Sequence, residues 1–328
     1  MKRKALTVTG WLISIAVTAY LLGTANISEL IGSFASTDIW YLALATIINI
    51  GVLALKGIRW QLLILPQKKT AFWGMFKATT IGYAANNILP ARGGDLLKIF
   101  LVHKWEGVSK TMLFSVTALD KIFDGLTLLI LFAAISLRSQ FPKWVKDGTI
   151  IFSIALLILI TASVIILARS GRLEEKKPSK TVQFFMRLAS GLKALTSAKI
   201  AGYTFIVSLV TCIAQIVMVW CTQMAFGERL DAIVPALVYI AINLAIMVPA
   251  APSGVGPFEA AAVLAYAWLG IPASIALAIA IAYHAIQLIP TTMLGAVFYA
   301  ISLTAGEKVR ITKNALISDD SAASEYKI

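Results

Sequence analysis

The sequence predicts an all-α fold: a polytopic transmembrane helix bundle with two Gly/Pro-broken, re-entrant segments in an inverted-repeat architecture. Three observations carry that expectation. Of 328 residues, 59% are hydrophobic and 14% charged, with a mean hydropathy of +0.84, whereas a soluble domain carries roughly a quarter charged residues. Several apolar runs reach the roughly 17–25 residues a helix needs to cross a hydrocarbon core of about 30 Å. Two hydrophobic segments are interrupted alike, NNILPARGGD at 86–95 and VPAAPSGVGPFE at 248–259. The first observation excludes a water-soluble enzyme, a coiled coil and a disulfide scaffold. The second excludes a β-barrel, because stretches such as IIFSIALLILITASVIILA (150–168) are apolar on every side instead of alternating.

Taken in order, the chain reads as one transmembrane domain over 1–304 and a polar tail, 305–328, expected to be disordered. Spans are expected near 5–22, 39–55, 111–137, 149–168 and 201–226. The first run exceeds the roughly 7–15 residues of a signal-peptide core, so an uncleaved helix is expected. Residues 23–38 hold no Lys or Arg, whereas Lys56, Arg59, Lys68 and Lys69 follow the second span. If 71–103 crossed outright, the basic loop 169–200, with eight Lys or Arg, would lie outside, against the positive-inside bias. As a re-entrant segment entered from inside, 71–103 puts 21 basic residues inside and four outside, with Lys77, Arg92, Lys98 and Lys121 at membrane depth. Both termini are then cytoplasmic, in a cell membrane. The stretch 232–303 must begin outside and end inside as broken helices, with Pro290 expected to kink or divide the last run. The net charge of +13 reflects these basic loops and their contact with anionic headgroups; no nucleic-acid partner is indicated.

Non-helical backbone at membrane depth needs protein or a watery cavity to satisfy it, so two breaks imply a polar cavity inside the bundle. The plainer alternative is tight turns between short helices. Charge favours the cavity. Arg92 can donate two parallel bonds to a phosphate, and the N–H groups of a helix starting at Gly93 and Gly94 suit an anion. Asp95, placed to orient or neutralise Arg92, shares a helix face with Lys98. Asn87 and the Ser253, Gly254 and Gly256 turn complete the expected substrate-binding set with Arg92, Gly93, Gly94 and Lys98. Asp120, Lys121 and Asp124 lie near the centre of a span, where each ionised side chain costs about 2.5–3.5 kcal/mol. With Asp95, Glu259 and His284 they form an expected charge network or proton-coupling set. The alternative is a purely structural ion-pair network, with Arg92 or Lys98 as partner and Lys121 covering Asp120. Two histidines, His103 and His284, are too few for a multi-histidine metal site, and Cys212 and Cys221 read as packing residues. No metal and no cofactor are expected.

At these residues the chain resembles the transmembrane region of the lysylphosphatidylglycerol synthase family, over about 5–305. The resemblance rests on Asn86-Asn87-Ile88-Leu89-Pro90-Ala91-Arg92-Gly93-Gly94-Asp95, on Asp120-Lys121-Ile122-Phe123-Asp124 and on Pro252-Ser253-Gly254-Val255-Gly256-Pro257-Phe258-Glu259. Lys121 stands where members often carry arginine, Ser253 where glycine is usual, and His284 where a late basic residue is expected. The resemblance implies lipid handling. Relatives move aminoacylated phosphatidylglycerol between leaflets, and others accompany polyprenyl-linked sugar or hopanoid pathways. The soluble aminoacyl-transferase domain of fused members is not among these residues, so the chain is expected not to be an enzyme. The expected function is translocation, as flippase or scramblase, of a phosphate-bearing lipid such as an aminoacylated phospholipid or a polyprenyl-phosphate-linked lipid. The alternatives are a membrane-embedded transferase with Asp95 or Asp120 as base, and a non-catalytic partner of a lipid-modifying envelope enzyme.

Overall fold

A computed structural model describes residues 2–89, 92–137, 141–170, 180–246 and 252–304. Pro90 and Ala91 of the first break, Pro249 in the second, part of the basic loop (171–179) and the tail (305–328) lie outside the described residues. The described residues form twelve α-helices and no strand. They fall into two units of the same plan. The first runs α1 (Lys2–Thr24), α2 (Ile27–Ala35), α3 (Ile39–Ile64), a hairpin of α4 (Phe72–Ile88) and α5 (Gly93–Glu106), then α6 (Lys110–Ser136). The second runs α7 (Lys143–Ser170), α8 (Lys180–Leu192), α9 (Ala198–Ala225), a hairpin of α10 (Ile233–Ala245) and α11 (Pro257–Trp268), then α12 (Ala273–Thr304).

Each unit is therefore long helix, short helix, long helix, hairpin, long helix. Three crossings leave a chain on the opposite face, so the second unit is inverted relative to the first. Packing follows the same exchange. Helix α6 packs on α8, α9 and α10, while α12 packs on α2, α3 and α4, and α3 lies against α9 between them. Helices α3, α9, α12 and residues 143–166 of α7 are long and apolar enough to cross a membrane, and 10–24 with 27–35 pass as a bent pair. Helix α6 has the length, 27 residues, but Asp120, Lys121 and Asp124 hide it from a purely compositional reading.

Three local features differ from the sequence expectation. Residues 27–35, between the first two expected spans, form a helix capped by Asn26 and turned 87° from 10–24. Ile27, Ile31 and Phe34 are exposed along it, the pattern of a helix lying in the membrane interface. Helix α3 runs on to Ile64, well past the expected end at 55, which brings Lys56 and Arg59 inside the bundle. Helix α12 is continuous through Pro290, which neither ends nor divides it. Proline cannot donate to the carbonyl four residues back. Here that carbonyl, Ile286 O, receives the Asn49 side-chain N–H at 3.0 Å, so α3 supplies the bond that Pro290 withholds.

Helix α12 also approaches α4 through Gly295, where an added Cβ would stand 2.3 Å from Ala84 Cβ and 3.0 Å from Thr80 O. Gly295→Val is expected to destabilise the fold by about 1–3 kcal/mol, the usual range for overpacking. Unfolding in SDS checks this against Gly51→Ala, whose site has open space and should behave as wild type.

Candidate functional site

Helix α3 carries Lys56, Arg59 and Trp60 on turns that face the first hairpin and α6. Arg59, with no exposed surface, forks onto two carboxylates: Nη2 lies 2.7 Å from Asp120 Oδ1 and Nη1 lies 2.6 Å from Asp124 Oδ1. Asp120 and Asp124 sit one turn apart on α6, which is why a single planar guanidinium reaches both. The Ser208 hydroxyl of α9 accepts a further Arg59 N–H at 3.2 Å. From α5, the buried Lys98 places its ammonium 3.9 Å from Asp120 Oδ2 and 3.8 Å above the Trp60 ring, a cation–π contact. Asp95, one turn before Lys98, meets Lys121 at 4.0 Å and accepts from Asn86 Nδ2 at 3.1 Å.

These groups comprise four cations, Lys56, Arg59, Lys98 and Lys121, and three carboxylates, Asp95, Asp120 and Asp124. One positive charge is left over. Arg59, Lys98 and Lys121 each have a carboxylate within 4.0 Å, whereas Lys56 has none among the described residues. Its ammonium instead donates to the Tyr83 hydroxyl at 3.2 Å and lies 4.4 Å from that ring's centre.

Lys56 lines a cavity of about 120 Å³ between the two hairpins, closed by α3, α9 and α12. Its other polar lining includes Asn49, Asn87, Gln215, Gln287 and Thr291. Ser253, Phe258 and His284 form its wall toward the second hairpin. There Glu259, in the first turn of α11, accepts the backbone N–H of Gly256 at 2.7 Å and lies 2.5 Å from His284 Nδ1. Phe258 stacks on the His284 ring with centroids 4.0 Å apart. Each hairpin is thus tied to the following helix by an acid–base pair, Asp95 with Lys121 and Glu259 with His284. Each break also holds one non-glycine residue in left-handed backbone, Arg92 at φ 55° and Ser253 at φ 58°.

The residues singled out in the sequence do not converge on one point. Asn87, Ser253 and His284 line the cavity. Arg92 is exposed at the tip of the first hairpin, donating to Ile246 O at 3.4 Å, and Ile246 is itself part of the cavity wall. Lys98 is turned away into the ion-pair cluster. Lys121 pairs with Asp95 instead of covering Asp120, and Asp95 does not engage Arg92. Two of the four glycine N–H groups are taken: Gly94 donates to Asn86 Oδ1 at 2.8 Å, and Gly256 to Glu259 Oε2 at 2.7 Å. Gly94 serves close packing, since a Cβ there would fall 2.0 Å from Gly82 O on α4.

The residues that sequence reasoning passed over are Arg59, Lys56 and Tyr83, with the amides Asn49, Gln215 and Gln287. Lys56 and Arg59 read as the basic end of a span, yet no helix breaker follows until Pro66. That was the available signal.

The sequence profile described as the lysylphosphatidylglycerol synthase TM region matches residues 8–295. The chain belongs to this family. Among similar proteins, a UPF0104 membrane protein of Methanothermobacter thermautotrophicus is 26% identical, over 83% of this chain and 86% of its own length. Another, of Methanocaldococcus jannaschii, is 24% identical over 90% and 93%. The glycosyltransferase AglD of Haloferax volcanii is 23% identical over 97% of this chain but only 57% of its own length. No solved structure matches. In this lysylphosphatidylglycerol synthase-type domain, the first and third motif stretches form the two hairpin breaks, and the second supplies the carboxylates that hold Arg59.

Breaking a buried ion pair from one side costs about 3–5 kcal/mol, because the surviving charge is stranded. Arg59→Leu is expected to lower stability by that order, read from unfolding in SDS. The loss should be largely recovered when Asp124→Leu is added, since Lys98 still pairs Asp120 and no unpaired carboxylate then remains.

Proposed function

We propose that this protein moves a phosphate-bearing lipid between membrane leaflets, with the headgroup passing through the cavity between the two hairpins. The observation that carries this reading is the unbalanced Lys56. A cation at membrane depth without a carboxylate is costly, and an anion entering the cavity completes the charge balance. The lipid phosphate provides that anion while its chains stay in hydrocarbon. Arg92, at the rim beside Ile246, meets the phosphate on entry. Inverted units with a central cavity support movement in either direction, since each hairpin faces the opposite leaflet.

The family supports a membrane-embedded lipid role without naming the lipid. The match to a glycosyltransferase over 57% of that protein's length favours work beside a lipid-modifying transferase, on a lipid-linked product. A transferase active site in this domain has less support. Asp120 is held by Arg59 and Lys98 and Asp95 by Lys121 and Asn86, so neither is a free base. In the proposed orientation both termini are cytoplasmic, in the cell membrane. With Lys56 and Arg59 removed from the inside tally, nineteen basic residues still stand against four.

The test is movement of fluorescent phosphatidylglycerol, aminoacyl-phosphatidylglycerol and a polyprenyl phosphate in sealed proteoliposomes, followed by quenching of the outer leaflet. Lys56→Ala is expected to slow movement of at least one lipid about tenfold or more, the cost of a lost charge-assisted contact. Lys56→Arg should retain most of it, and Arg92→Ala should slow it less than Lys56→Ala. Undiminished movement in folded Lys56→Ala would remove the phosphate from this cavity.

A further inference from the structure

Resting on that reading, the cavity lining points to the kind of headgroup attached to the phosphate. Three amides fix their orientation through bonds to backbone carbonyls, which accept only from the NH2 end. Asn49 Nδ2 donates to Ile286 O at 3.0 Å, Asn87 Nδ2 to Leu288 O at 3.4 Å, and Gln215 Nε2 to Thr211 O at 3.4 Å. The same nitrogens also reach Thr291, Thr292 and Tyr239 hydroxyls at 2.9–3.1 Å. Their carbonyl oxygens, Asn49 Oδ1, Asn87 Oδ1 and Gln215 Oε1, receive no donor among the described residues, and none is sealed from solvent. Gln287, on the same wall, has no hydrogen-bond partner among the described residues and can both donate and accept.

The lining is therefore rich in unspent neutral acceptors, and no carboxylate is part of it. Acceptors of this kind call for a ligand that brings several donors. Hydroxyls do so without charge. An ammonium would also donate, but it would sit beside Lys56 in a lining that holds no carboxylate among the described residues. We infer that the cavity selects an anionic lipid whose headgroup beyond the phosphate is a neutral polyol, glycerol or sugar, and discriminates against a cationic aminoacylated headgroup.

The test offers the purified protein an equimolar mixture of phosphatidylglycerol, phosphatidic acid and lysyl-phosphatidylglycerol and reads the retained lipids by native mass spectrometry. Phosphatidylglycerol, with two free hydroxyls, should be retained about fivefold or more over phosphatidic acid, the order expected from one net hydrogen bond, and over the lysyl lipid. Gln287→Leu, which breaks no hydrogen bond among the described residues, should erode the preference over phosphatidic acid while leaving phosphatidic acid binding as it was. Equal retention of phosphatidic acid and phosphatidylglycerol, or preference for the lysyl lipid, would overturn the inference. The same three lipids in the proteoliposome assay separate the two claims. Selective binding without movement upholds the polyol site and overturns translocation. Movement of all three at equal rates, with unselective binding, overturns the polyol site and leaves translocation standing. Retention of none overturns both.

Discussion

A guanidinium with no access to solvent, forked onto two carboxylates one helical turn apart, is the contact around which the first unit is organised. Each of these charges alone would oppose burial; together they convert three helices into one body. Arg59 comes from α3 and both carboxylates from α6, and Lys98 brings the second arm of the hairpin to Asp120 from the other side. The re-entrant segment therefore needs no crossing of its own to be held at depth. Asp95 and Lys121 repeat the tie at the hairpin's tip-proximal end. The balance is deliberately incomplete in sign, and the surplus falls on the one lysine that borders the cavity.

The two units share a plan but not a chemistry. In each, an acid in the opening turn of the hairpin's second arm meets a base on the following long helix, Lys121 lying 26 residues after Asp95 and His284 lying 25 after Glu259. The spacing is thus nearly the same in two halves whose side chains differ. The first half keeps its charges clustered on α3, α5 and α6, whereas the second offers Gln215, Phe258, Gln287 and a single acid–base pair. The cavity lies where these two chemistries meet, with a cation on one wall and neutral amides around it. Inverted symmetry supplies the scaffold, and its breaking supplies the polarity of the site.

Much of the architecture was legible because hydrophobic length and Pro/Gly breaks are one-dimensional signals. The hairpins at 86–95 and 248–259, the charged centre of α6 and the uneven distribution of Lys and Arg could all be read directly. What escaped had a common cause: a residue's role depended on a partner far along the chain. Arg59 looks like the basic end of a span until Asp120 and Asp124 are brought against it. Pro290 looks like a helix breaker until Asn49, 237 residues earlier than Ile286, donates to the orphaned carbonyl. The Gly94 and Gly256 N–H groups looked open to an anion because the side chains that occupy them, Asn86 and Glu259, are local but conformational. Conversely, the expected cavity was inferred from broken backbone, and its amide lining came from polar residues scattered singly through otherwise apolar helices.

The pairing of α3 with α6 also bears on how the chain enters a bilayer. Insertion proceeds from the N-terminus, so α3 arrives with Lys56 and Arg59 before any carboxylate that can match them has been synthesised. Helix α6 follows with Asp120, Lys121 and Asp124, each carrying about 2.5–3.5 kcal/mol against residence at the bilayer centre on its own. Until α6 follows, the Arg59 guanidinium of α3 lacks both of the carboxylates that hold it in the folded protein. Order along the chain thereby bears on assembly: the charged core draws on α3, α5 and α6, and it is complete only once the last of them is in place.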